Sequence, residues 1–105
     1  MSDGVSERRR ANRHPFDSPV NVCTDTRKDR VGMGRDASRT GILFRSRSKF
    51  AIGERVELTF QVDRGLLNRR GRVVRSWRVT DPAALFPHAT AVEFDEPLPR
   101  FATAA

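Results

Sequence analysis

The sequence predicts an all-β protein, a six-stranded antiparallel barrel that follows a flexible basic N-terminal arm. Six short segments alternate apolar and polar residues with a period of two, which is typical of strands with one buried face. Turn-forming residues separate these segments, and no segment has the length and periodicity of a normal helix. A barrel is favoured because closure protects the edges of a small sheet.

The first three predicted strands lie in the N-terminal half of the 105-residue chain. Each one places two apolar side chains on the same face: Val20 and Val22 in "VNVCT", Val31 and Met33 in "RVGMGRD", and Ile42 and Phe44 in "GILFRS". The polar stretch "TRKD" separates the first two strands and predicts a turn.

The fourth predicted strand, "RVELTFQV", has the most regular alternation, and Gly53 and Gly65 mark the turns on either side of it. The fifth strand, "GRVVRSWRV", is predicted to turn the side chains of Val73, Arg75, Trp77 and Val79 to one side. The loop "TDPAALFPH" precedes the last strand, "TAVEF". The predicted core of the barrel comprises Val22, Ile42, Phe44, Val56, Leu58, Phe60, Val92 and Phe94.

Length and composition indicate one domain, since 37% hydrophobic residues in 105 positions suffice for one small core. We divide the chain into a basic arm at 1–16, a barrel at 17–97 and a short tail at 98–105. No apolar run reaches membrane-spanning length, and no apolar stretch follows the basic N-terminus as in a secretory signal. Because Cys23 is the only cysteine, no internal disulfide forms. We therefore expect a cytoplasmic protein.

The positive charge is concentrated in the N-terminal half of the chain. Residues 1–50 contain 12 Lys and Arg against 6 Asp and Glu, and the whole chain has a net charge of +7. Lys28 and Lys49 are the only lysines, and the segment "RRRANR" at 8–13 contains four arginines. Arginine has a planar fork of donors that matches phosphate groups and guanine edges. The charge indicates an anionic partner, although a solubilising tail or an arginine-rich composition would give the same bias.

The sequence offers little support for catalysis. His14 and His88 stand apart from any second residue at metal-ligand spacing, so we expect neither a metal nor a cofactor. Cys23 alternates within a predicted strand and is interpreted as a small packed residue. Neither a phosphate-binding P-loop nor a nucleophile elbow is present. We therefore predict that the protein is not an enzyme.

Two short motifs together suggest a ligand site. Arg9 and Arg13 form R-x-x-x-R, and after 22 intervening residues "DASRTG" places Asp36, Ser38 and Gly41 in D-x-S-x-x-G. Each residue also has a local explanation, since Asp and Ser cap turns and Gly supplies a positive φ. The combination of both motifs with this order of strands is more specific than either motif alone.

These residues resemble those of the PilZ domain, a small β-barrel receptor for the bacterial second messenger cyclic di-GMP. The resemblance runs from about residue 8 to residue 97. It includes "RRRANRHPFDSPVNV", "GRDASRTGILFRS", "IGERVELTF", "GRVVRSW" and "ATAVEFDEP". The chain departs from the family at Ala91, where glycine is frequent, and in its proline-rich tail, which is too short for the C-terminal helix of many members.

The resemblance implies that cyclic di-GMP is the ligand and that the arm becomes ordered on binding. It assigns guanine and phosphate contacts to Arg9 and Arg13, and it associates Arg8 with an intercalated pair of ligand molecules. An ionised Asp36 can only accept hydrogen bonds, which suits the adjacent N1–H and N2–H₂ donors of guanine. Ser38 and Gly41 complete the implied site, with Arg39 and Trp77 as further candidates. Because a barrel of this size has no output domain, we expect a separate downstream protein partner.

Two other functions fit parts of the pattern. A basic barrel of the OB type would bind single-stranded nucleic acid by stacking bases on exposed aromatic rings. The sequence disfavours this partner because it has no tyrosine, and Phe44, Phe60 and Phe94 alternate as core residues. Trp77 is the one candidate platform. A PilZ-like adaptor acting through protein contacts alone is the second alternative, and the intact motifs disfavour it.

Overall fold

The computed structural model describes residues 14–62 and 65–98, which contain seven β-strands. The strands are β1 (His14–Pro15), β2 (Pro19–Cys23), β3 (Arg30–Ala37), β4 (Gly41–Ser46), β5 (Arg55–Val62), β6 (Gly65–Arg78) and β7 (His88–Phe94). The described residues include no helix, and thus none long and apolar enough to cross a membrane. The loop between β6 and β7 consists of bends and turns.

Six of the strands close into an antiparallel barrel in the order β3–β2–β5–β6–β7–β4, and the pairing of β4 with β3 completes the circle. This arrangement confirms the predicted six-stranded barrel. The two-residue strand β1 is an addition to it. It pairs with the end of β3, on the same side as β2, with His14 opposite Ala37 and Pro15 opposite Asp36.

All eight predicted core residues are buried, which confirms the strand faces assigned to β2, β4, β5 and β7. Phe60 lies at the centre of an aromatic group. Its ring meets Phe16 edge to face at 5.5 Å between centroids and stacks on Phe94 at 6.2 Å. Phe16 and Leu98 also belong to the core, so the segments flanking the barrel strands contribute to its packing.

The inner face of β3 is formed by small residues. Val31 and Met33 share a face as predicted, but that face points outward, and Val31 is 58% exposed. Gly32 and Gly34 occupy the inward positions. A larger residue would not fit at either position, because phenylalanine rings fill the space that its side chain would need. A Cβ on Gly32 would approach Phe44 to 2.8 Å, and a Cβ on Gly34 would clash with the ring of Phe16.

A β-bulge divides β6 into two halves with opposite alternation. Val73 pairs with Val92 of β7, and the next pair joins Arg75 to Ala91, so Val74 is the extra residue. Val73 is therefore buried while Arg75 and Trp77 are exposed. The prediction that these three side chains share one face was wrong, because a bulge shifts the alternation by one residue.

Truncation of the central aromatic residue measures how much the core contributes to stability. Phe60→Ala should lower the free energy of unfolding by about 3–5 kcal/mol, because Phe60 is 1% exposed and contacts two other rings. Leu66→Ala is the matched control, since Leu66 is 71% exposed, and should change it by less than about 0.5 kcal/mol. Urea denaturation monitored by circular dichroism gives both values. A loss below about 1 kcal/mol for Phe60→Ala would contradict the packing described above.

Candidate functional site

The second motif forms the connection between β3 and β4. Asp36 is the penultimate residue of β3, Ser38 lies in the turn, and Gly41 begins β4. Arg8, Arg9 and Arg13 lie outside the described residues. The residue that follows the first motif, His14, pairs with Ala37, so the basic arm joins the barrel directly beside the second motif. The structure thus brings His14, the residue that follows the first motif, to the corner of the barrel that the second motif forms.

Ser38 stabilises the turn through its backbone and its side chain. Its N–H donates to the carbonyl of Gly41 at 2.9 Å, and its Oγ accepts from the N–H of Thr40 at 3.2 Å. The hydroxyl groups of Ser38 and Thr40 are also within 3.2 Å of each other. Ser38 is only 2% exposed. The serine of the motif therefore has a structural role in shaping the loop that carries the neighbouring predicted ligand contacts.

Gly41 is required by the close approach of two strands. Positive φ angles occur among the described glycines at Gly53 and Gly65, and Gly41 is not one of them. A Cβ at Gly41 would instead clash with the carbonyl oxygen of Val92 on β7. The glycine of the motif therefore allows β4 and β7 to pair closely, which differs from the positive φ considered as a local explanation.

Arg39 connects the turn to the segment that follows β7 through hydrogen bonds. Its Nε–H donates to the carbonyl of Leu98 at 2.8 Å, and the N–H of Leu98 donates back to the carbonyl of Arg39 at 2.8 Å. The N–H of Phe94 donates to the carbonyl of Thr40, also at 2.8 Å. These bonds hold the turn against the end of β7, so the second motif is presented on a fixed loop.

The registers of the paired strands show that the second motif lies on the same outer surface of the barrel as the second half of β6. One row across the sheet runs from Asp36 on β3 through Leu43 and Ala91 to Arg75 on β6. The next row ends at Trp77, which lies opposite Ala89. A shallow groove of about 310 Å³ crosses this surface, and its lining includes Thr40, Gly41, Val74, Arg75, Ala91 and Glu93.

Arginines surround this surface. The guanidinium carbon of Arg75 lies 4.6 Å from the centre of the Trp77 ring, which is 37% exposed. Arg45 on β4 donates from Nε to the carbonyl of Phe86 at 3.1 Å and so holds the β6–β7 loop in place. The carboxylate of Glu93 is paired with Arg72 at 3.7 Å. Among the described residues that line the groove, Arg75 is the one cation, and the carboxylate of Glu93 is paired with Arg72, so Arg75 is the group there that suits an anionic ligand.

Sequence reasoning identified Trp77 as a candidate but missed Arg75 and Arg45. Their position on this outer surface depends on the bulge in β6 and on the pairing of β4 with β7, and neither feature has a signal in the sequence of one strand alone. Within residues 14–62 and 65–98, no cluster of His, Cys, Asp and Glu has an arrangement that could hold a metal ion.

Comparison with known proteins agrees with the fold. The model of the PilZ domain family matches residues 7–100, and the chain belongs to this family of cyclic di-GMP receptors. Its fold is similar to that of the Bacillus subtilis inhibitor of motility MotI/DgrA, with a TM-score of 0.70 and 16% sequence identity. That likeness covers 87% of this chain and 44% of the Bacillus chain, so this chain spans less than half the length of its neighbour. No curated protein matches the sequence significantly.

Substitution of the motif glycine tests the close approach of β4 and β7. Gly41→Ala should destabilise the fold by about 1–3 kcal/mol, because the added methyl group has no space beside the Val92 carbonyl. Thr40→Ala is the control, since Thr40 is exposed and adjacent, and should cost less than about 1 kcal/mol. Thermal and urea denaturation measure both changes. Wild-type stability for Gly41→Ala would mean that the two strands are farther apart than described.

Proposed function

We propose that the protein is a cytoplasmic, non-catalytic receptor for cyclic di-GMP that orders its N-terminal arm on binding and signals to a separate protein. One observation carries the proposal. The pairing of β1 with β3 attaches the arm of the R-x-x-x-R motif beside Asp36, at the corner where the D-x-S-x-x-G motif forms its turn. Membership of the PilZ family supports the choice of ligand.

The chemistry of the two motifs is complementary to the two guanines and two phosphates of the ligand. Arg9 and Arg13 supply planar forks that match the O6 and N7 acceptors of guanine and the oxygens of phosphate. Asp36 accepts hydrogen bonds from the N1–H and N2–H₂ groups of a guanine. Ser38 and Gly41 keep the loop in the shape that presents these contacts, and Ser38 offers its hydroxyl to the ligand when the arm closes.

Ligand binding is also the signal in this proposal. Ordering the arm costs conformational entropy, and charge-assisted hydrogen bonds between the arginines and the ligand offset that cost. The ligand then joins the arm to the outer face of β3 and β4. A partner protein that recognises the closed arm would distinguish the bound receptor from the free one.

Substitutions in each motif test the site. Arg13→Ala and Asp36→Ala should each weaken the binding of cyclic di-GMP by about tenfold to more than a hundredfold, since a hydrogen bond to a charged group contributes about 1.5–3 kcal/mol. Arg30→Ala and Asp25→Ala remove the same charges from exposed positions around the β2–β3 connection and should leave the affinity within about twofold. Isothermal titration calorimetry measures the dissociation constants. Unchanged affinity in both motif variants would contradict the assignment of the two motifs to the ligand site.

Arg8 is proposed to determine how many ligand molecules bind. Two molecules of cyclic di-GMP can intercalate, and the resulting pair carries four phosphate charges, so it needs more cationic groups than a single molecule. Arg8, which directly precedes Arg9, supplies a third guanidinium in the arm. Calorimetry should give a ligand-to-protein ratio near two for the wild type and near one for Arg8→Ala. A wild-type ratio near one that the substitution leaves unaltered would exclude the pair but not the receptor function.

Single-stranded nucleic acid is the competing ligand. The exposed ring of Trp77 favours it, because such a ring can stack on a base. Phe44, Phe60 and Phe94 are buried and offer no further platform. A shift of the melting temperature with micromolar cyclic di-GMP, and none with a single-stranded DNA oligonucleotide, distinguishes the two functions.

A further inference from the structure

Arg75, which lines the groove, and Trp77 form a pair on the second half of β6, three strands away from Asp36. With the alternation of a regular strand, Arg75 would face inward like Val73, two residues before it. The bulge at Val74 turns Arg75 outward instead, opposite Ala91. Bulges are frequent next to functional sites, where they redirect a side chain. This bulge therefore brings the cation of Arg75 to the groove and the ring of Trp77 to the same outer surface.

The charge of Arg75 is not compensated within the part of the chain that the structure describes. Arg27, Arg55 and Arg72 each have a carboxylate partner, in Glu54, Asp95 and Glu93. Arg75 has no such partner among residues 14–62 and 65–98, and its guanidinium lies over the ring of Trp77 at 4.6 Å. Stacking of this kind occupies a face of the guanidinium and leaves its N–H edge available.

Small residues form the surface next to Arg75, on the side that faces the second motif. The row from Asp36 to Arg75 crosses three strand spacings, or roughly 14 Å between backbones. Ala91 is the residue next to Arg75 in that row, and Ala89 holds the corresponding place beside Trp77. Leu43, which is half-buried, lies between Ala91 and Asp36 in the same row, so the small side chains leave room for a flat ligand on the part of the surface next to Arg75.

We propose that Arg75 binds a phosphate group of the ligand and that Trp77 positions its guanidinium. This inference rests on the proposed receptor function, and it adds a contact outside both motifs. A phosphate is the group that fits, because the free N–H edge of a guanidinium pairs bidentately with two phosphate oxygens. An unpaired cation in the groove also favours the most strongly charged part of the ligand. Arg75 is thus a ligand-binding residue, and Trp77 is a positioning residue.

Charge and geometry at this position can be separated by two substitutions. Arg75→Gln should raise the dissociation constant for cyclic di-GMP about tenfold or more and make it less dependent on salt, because one cation–phosphate contact is lost. Arg75→Lys should restore the salt dependence but only part of the affinity, because lysine keeps the charge and lacks the planar fork. Arg70→Gln is the control. Arg70 is exposed, lies on the same strand and does not line this groove, so the affinity of this variant for cyclic di-GMP should stay within about twofold of the wild type.

Calorimetry at several salt concentrations reports these differences, and urea denaturation shows that each variant is folded. Wild-type affinity and salt dependence in Arg75→Gln, together with lost binding in Asp36→Ala, would overturn the role of Arg75 and leave the receptor function intact. Weaker binding with an unchanged salt dependence would overturn the phosphate contact in favour of a contact to a base. A wild-type protein that does not bind cyclic di-GMP would refute the proposed function itself.

Discussion

Hydrogen bonding of β3 along both of its edges is the constraint on which the rest of the structure depends. One edge pairs with β4 and closes the barrel, while the other pairs with β2 and then with β1. Closure leaves neither edge of β3 available for association with another chain. The same strand also holds His14 and Pro15, near the end of the basic arm, beside Asp36. The fold and the position of the candidate site thus have the same origin.

The strands and the core could be predicted because their signal is local. In β5, for example, Val56, Leu58 and Phe60 alternate with polar residues, and this period of two fixes the buried face without knowledge of any partner strand. The inner face of β3 had no such signal. Its small inward residues are explained by the rings of Phe16 and Phe44, which come from other segments of the chain. Contacts between segments far apart in the sequence depend on tertiary packing and not on the propensity of one strand.

The candidate site could also be predicted only where its signal is local in the sequence. The residues of the second motif are close in sequence, so their shared turn follows from their spacing. The location of Arg75 did not follow, because it depends on one extra residue in β6 and on the pairing of that strand with β7. The structure also gives Ser38 and Gly41 a second reason for their identity. They shape the turn and permit the strands to approach, in addition to the ligand role proposed for them.

The central claim is that cyclic di-GMP binds between the basic arm and the outer surface formed by β3, β4, β7 and β6. A titration followed by ¹H–¹⁵N NMR spectroscopy tests it most directly, since each backbone amide and the single indole N–H, of Trp77, report separately. If the ligand binds there, shifts will concentrate in residues 8–13, 36–43 and 89–91 and in the indole of Trp77. The row of Asn21, Thr59 and Asn68, on the β2–β5–β6 surface, should not respond. Shifts confined to that row, or no shifts at saturating ligand, would contradict it.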